Sequence, residues 1–176
     1  MKRVTETPTE TRERRSKTPD EALAALMRLC ARAEKSESDA RRLMKGWGVT
    51  EAEAERVVAR LVRERFIDDS RYAEAFVREK LRLSGWGEYK IRTALRRKGI
   101  AGERIDAALA QADRSAMRER LHAMLTRKAA AAKHAAPYEL KAKLVRYGLS
   151  LGYDYDAVLD AASAILKNED NECDEF

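Results

Sequence analysis

The chain has 176 residues, 38% of them charged and 6% aromatic, with 36 basic and 30 acidic side chains and a net charge of +6. Its 30 alanines and 17 leucines, set against 8 glycines and 3 prolines, describe a helical, well-solvated protein and argue against a β-sandwich. No apolar run nears the ~20 residues that span a bilayer, and the N-terminus lacks the apolar segment of a secretory signal. Cys30 and Cys173 form no CxxC pair, and His122 and His134 are too few for a typical zinc cluster. These features lead to the expectation of a cytoplasmic protein with no metal, no cofactor and no membrane contact.

Residues 1–17 are rich in Thr, Arg and Glu and nearly devoid of apolar side chains, which predicts an unstructured arm. Thr18-Pro19-Asp20-Glu21 is a capping box with proline at the first helical position, ahead of Leu23, Leu26, Met27 and Cys30 at helical spacing. Ser36 opens a short second helix that stops at Gly46-Trp47-Gly48. Thr50-Glu51-Ala52-Glu53 is another capping box, followed by the apolar stripe Ala54, Val57, Val58, Leu61 and Val62. Asp68-Asp69-Ser70 caps a helix bearing Tyr72, Ala73, Phe76 and Val77, which Ser84-Gly85-Trp86-Gly87 breaks. Ile91 and Leu95 then lead to a stop at Gly99. A long Ala-rich helix is predicted over 113–133, a shorter one from Pro137 to a stop at Gly148, and a last one from about Asp154. Residues 168–176 read as a solvated acidic tail.

The nine predicted helices fall into three sets of three. Ala40, Met44 and Gly48 match Ile91, Leu95 and Gly99, and both sets match Leu140, Leu144 and Gly148. A period near fifty residues marks a tandem array, whose small units bury their stripes by packing on their neighbours. The expected fold is therefore all-α, an elongated curved array of three tandem three-helix repeats over 18–67, 68–112 and 113–167.

Cations recur in this register. Arg41, Arg92 and Lys141 share one position, Lys45 and Arg96 a second, Arg97 and Arg146 a third. A row of cations along the middle helices would follow. Residues 78–98 hold eight basic side chains (Arg78, Lys80, Arg82, Lys90, Arg92, Arg96, Arg97 and Lys98) and two acidic ones, which accounts for the entire net charge. Trp86 and Tyr89 lie inside the stretch. Cations with interleaved aromatics suit phosphate contact and base stacking, and equally suit a protein interface. The candidate contact residues are Arg41, Lys45, Arg78, Arg82, Trp86, Lys90, Arg92, Arg96, Arg97, Lys98, Lys141 and Arg146. No catalytic constellation accompanies them: Asp68-Asp69 is explained by helix capping, and no phosphate-binding loop occurs. A stand-alone DNA-binding helical module is compatible with the same features.

Phe66-Ile67-Asp68-Asp69-Ser70-Arg71-Tyr72-Ala73 resembles the signature of the RecX family, regulators of the RecA recombinase. So does the run Gly87, Ile91, Leu95-Arg96-Arg97-Lys98-Gly99-Ile100, followed by Ile105 and Leu109. The resemblance implies three tandem three-helix repeats. It further implies a regulator that binds the RecA filament on single-stranded DNA and limits recombinase, ATPase and coprotease activity. The chain is expected to be monomeric and, lacking a catalytic constellation, non-enzymatic; duplex DNA is the ligand that the stand-alone DNA-binding reading predicts. There are departures. Arg65 stands where the family often has glycine, Gly46-Trp47-Gly48 replaces a basic residue and glycine, and Leu151 to Tyr153 are extra before the last helix.

Overall fold

The computed structural model describes residues 16–132 and 136–173, with side chains through Lys167. The described residues contain nine α-helices, one π-helical turn and no strand. No helix among them is long and apolar enough to cross a membrane. The chain divides into two compact units between Ile67 and Asp68.

The first unit holds α1 (Pro19–Cys30), α2 (Glu37–Gly46) and α3 (Glu51–Arg63). Thr18 and Thr50 close capping boxes with Glu21 and Glu53, and the buried Ser36 hydroxyl accepts the Asp39 N–H. Each cap satisfies backbone donors that a helix start leaves without partners. Leu26, Ala40, Met44, Val58, Leu61 and Ile67 form the buried centre. Val62, expected in the stripe of α3, is exposed instead, because the stripe closes on Ala54, Val57, Val58 and Leu61. The expected unstructured arm lies largely in 1–15, outside the described residues. Lys17, however, donates its N–H to the Trp47 carbonyl at 3.0 Å and sets its ammonium over the Trp47 ring. The turn after α3 passes through Arg65 at φ 60°. That left-handed conformation is one glycine adopts without a Cβ penalty, which accounts for the glycine expected there.

The second unit holds α4 (Asp69–Glu79), the π-helical turn Lys80–Ser84, α5 (Glu88–Arg97), α6 (Gly102–Ala110), α7 (Arg114–Ala130), α8 (Pro137–Ser150) and α9 (Tyr155–Cys173). Asp68 is the N-cap of α4, accepting from the N–H groups of Ser70 and Arg71. Asp69 is buried, with the Arg104 guanidinium of α6 at 3.6 Å from its carboxylate. The pair of aspartates is thus one cap and one packing contact. Asp68→Ala is expected to cost about 1 kcal/mol, read as a lower urea midpoint with an unchanged slope.

Val77, Ile91, Leu95, Ile105 and Leu109 build one core of this unit. Leu121, Leu125, Leu144, Val158 and Ile165 build the other, and Leu81 packs against both. The expected stop at Gly148 is not one. Helix α8 runs on to Ser150, and the left-handed residue that ends it is Gly152, at φ 86°. Gly148 is buried where a Cβ would lie 2.6 Å from Val158, so its role is close packing against α9. The anchors Met44, Leu95 and Leu144 keep their register and are fully buried. The third middle helix therefore carries about one extra turn, which absorbs the additional residues before α9. At the other end, α9 is helical through Cys173, so the expected solvated tail is backbone helix over 168–173. Residues 174–176 lie outside the described residues.

That extra turn joins the second and third repeats. Helix α5 has no side-chain cap. Its orphan donors go across the unit instead: Gly87 N–H to the Leu151 carbonyl at 2.8 Å and Tyr89 N–H to the Gly152 carbonyl at 3.1 Å. The Lys90 ammonium adds a bond to the Ser150 carbonyl at 3.1 Å.

Candidate functional site

The cations proposed as a row have three different fates. Arg41 on α2 holds the Glu55 carboxylate of α3 with both Nε and Nη2, at 2.6 and 3.0 Å, and also reaches Glu37. This contact drives the Arg41 pKa up and holds the Glu55 carboxyl below its usual range. Arg92 on α5 pairs through a single nitrogen, Nη1, with Asp106 on α6, again fourteen residues on. Glu55 and Asp106 are each the fifth residue of the third helix of their repeat, and in α9 that place is taken by Leu159. The recurrence of Arg41 and Arg92 is thus an internal clamp between the second and third helices of a repeat. Lys141 keeps the cation without an acid in that place.

A second set is spent on packing. Trp86 is half-buried, edge-on to Phe76, with the ammonium groups of Lys80 and Lys90 over its ring at 5.4 and 4.9 Å. Lys90 is also part of the joint to the third repeat. Lys98 is half-buried at the C-cap of α5. Cations there face a helix C-terminus and are favoured by its dipole.

A third set is exposed: Lys45 on α2, Arg78 and Arg82 at the end of α4 and in the π-turn, Arg96 and Arg97 on α5, and Arg146 on α8. Two of these open on a groove. Between α4 with its π-turn and helix α7 lies a cavity of about 640 Å3, lined by Arg78 and Arg82 on one side and Arg120 and Arg127 on the other. Val77, Leu81 and Met117 supply apolar surface, and Glu74, Asp113 and Glu119 also line it. Tyr153 sits at its wall, where burial raises the phenol pKa and the nearby Arg120 charge partly offsets this. The groove is shaped by the π-turn, which ends at left-handed Gly85, where a Cβ would lie 2.5 Å from Met124 Sδ of α7. Arg120 and Arg127 were not among the candidate residues. They sit on α7, which holds five cations against one acid, Glu119, a local excess outside the 78–98 stretch, and packing brings them opposite Arg78 and Arg82.

The fold and these residues can be set beside known proteins. A profile for the second three-helix domain of RecX matches residues 68–109. A regulatory protein RecX of Mycobacterium sp. (strain KMS) is 30% identical over 126 residues, covering 69% of each chain. The chain belongs to the RecX family. Another RecX regulatory protein, from Clostridium botulinum (strain Eklund 17B / Type B), is 31% identical over 106 residues, 59% of this chain. That match spans only about half of the relative's length, at 49%. The crystal structure of RecX from Lactobacillus salivarius shares the fold, with a TM-score of 0.73 at 18% identity over 84% of this chain and 96% of that one. The RecX profile covers α4 to α6, the helices that carry Arg78, Arg82, Arg96 and Arg97 and one side of the arginine groove.

Proposed function

We propose that this RecX-family protein is a non-enzymatic, inhibitory regulator that binds the RecA filament on single-stranded DNA. One observation carries the reading: the stretch that holds the whole net charge falls inside the RecX-matched helices, where Arg78 and Arg82 face Arg120 and Arg127 across a groove. Four guanidinium groups outnumber the three carboxylates of Glu74, Asp113 and Glu119 in this partly apolar groove, a balance that suits an anionic, extended partner, whether phosphate or an acidic protein face.

The mechanism is differential binding. A regulator that holds one filament state more tightly than another shifts the population toward the held state. Exposed cations on separate repeats, such as Lys45, Arg96 and Arg146, add weak contacts that gain strength from being tethered together. On this reading the protein acts as a monomer in the cytoplasm and lowers ATP hydrolysis, strand exchange and coprotease activity.

The decisive assay is RecA's single-stranded-DNA-dependent ATPase with substoichiometric protein added. Hydrolysis is expected to fall, with shorter filaments seen by electron microscopy. Unchanged hydrolysis and filament length would overturn the proposal.

A further inference from the structure

Six large hydrophobic side chains are exposed among the described residues, and three of them line one cleft. Tyr89 is 73% exposed, Tyr155 53% and Leu149 41%. The cleft has a volume of about 710 Å3 and lies on the second unit, between the start of α5 and the turn that links α8 to α9. Clustering of this kind marks an interaction surface, since scattered exposed residues are ordinary.

Both tyrosines stand on fixed backbone. The Tyr89 N–H is bound to the Gly152 carbonyl, and Tyr155 is the first residue of α9. Asp154 caps that helix, accepting the Asp156 N–H at 2.9 Å. The two rings come from positions 66 residues apart, joined because the extra turn of α8 delivers Gly152 to the start of α5. Three guanidinium groups and two carboxylates also line the cleft. Glu88 is paired with Arg114 at 2.5 Å, Arg92 with Asp106, and Asp154 serves the helix cap. Arg118, exposed on α7, is the one lining guanidinium outside these pairs, and the capping carboxylate of Asp154 keeps its negative charge on the same lining.

We propose that this cleft is a stacking site for the bases of single-stranded nucleic acid, with Arg118 taking an adjacent phosphate. Preset aromatic side chains beside a cation match both parts of a strand, the π-faces of its bases and the charge of its backbone. The choice of nucleic acid over a peptide rests on the regulatory reading above, in which the protein works on a DNA-bound filament. The site itself opens beside the arginine groove, with Met117 and Tyr153 as the wall common to both.

The experiment is direct binding, without recombinase, of a fluorescent oligothymidylate of about a dozen nucleotides, within the site sizes of known single-strand binders. Tyr89→Ala and Tyr155→Ala are each expected to weaken binding on the order of tenfold. Tyr89→Phe should keep affinity, and Arg118→Glu should lower it together with the salt dependence. Tyr138→Ala, an exposed tyrosine away from the cleft, serves as the control and should change nothing. An abasic strand with the same phosphates should bind as weakly as the alanine variants. Circular dichroism checks that the fold is kept. Equal affinity of wild type and both alanine variants for the normal strand overturns the inference. If those variants then lose regulation of RecA, the cleft is a protein contact. If regulation fails but strand binding follows the tyrosines, the stacking site stands without the regulatory reading.

Discussion

Gly152→Ala is expected to destabilise the second unit by about 3 kcal/mol, from left-handed strain and overpacking together. At Gly152 a Cβ would lie 2.4 Å from Lys90 Cβ and 2.5 Å from the Lys90 nitrogen, with φ already at 86°. Backbone cannot yield as a flexible side-chain end can, so relief requires α5 to move away. That movement breaks the bonds from Gly87 to Leu151 and from Tyr89 to Gly152, and leaves α5 without partners for its first donors. For a unit of roughly a hundred residues the melting midpoint should fall on the order of 10–20 °C. Hydrogen exchange locates the effect: the amides of Gly87 and Tyr89 should lose protection first. A midpoint and exchange pattern equal to wild type would show that the joint contributes little.

The second large effect is functional. Arg82→Glu combined with Arg120→Glu places acid on both walls of the groove between α4 and α7. Like charges facing an anionic partner cost several kcal/mol, so affinity for the RecA filament should drop on the order of a hundredfold. Both side chains are exposed, so the melting midpoint should barely change. Arg41→Gln supplies the contrast. Its guanidinium is engaged with Glu55 and Glu37, so the substitution should leave filament affinity intact and act on the first unit's stability. Because the Glu55 pKa is lowered in the folded state, the clamp contributes above the ordinary carboxylate pKa and fades as pH falls through the lowered value. The loss on Arg41→Gln should therefore be seen at neutral pH and shrink in acid. Filament affinity that survives the groove reversal but falls with Arg41→Gln would restore the row of cations as the contact.

Much of the fold was legible because its determinants are local. Thr18, Ser36, Thr50, Asp68 and Asp154 announce helix starts by chemistry confined to three or four residues. The fully buried Met44, Leu95 and Leu144 show the same register in all three repeats, since a helix face repeats every turn. The concentration of charge in residues 78–98 is likewise a property of the chain itself.

What the sequence could not reveal depends on partners far along the chain. Gly148 looks like a helix stop, yet close approach of Val158 keeps it inside α8 and moves the stop to Gly152. Arg41 and Arg92 recur like a binding row, yet each is claimed by an acid fourteen residues away. Trp86 and Tyr89 both stand in the basic stretch, but lysines and Phe76 flank Trp86, and Tyr89 is the ring left exposed. Arg120 and Arg127 sit in the cation-rich α7 and Tyr155 opens α9, but nothing local sets them near Arg78, Arg82 or Tyr89. Amino-acid order determined the helices, their repeats and the charge; packing of the third repeat against the second decided which side chains meet, because a groove or cleft is a relation between surfaces that no single segment encodes.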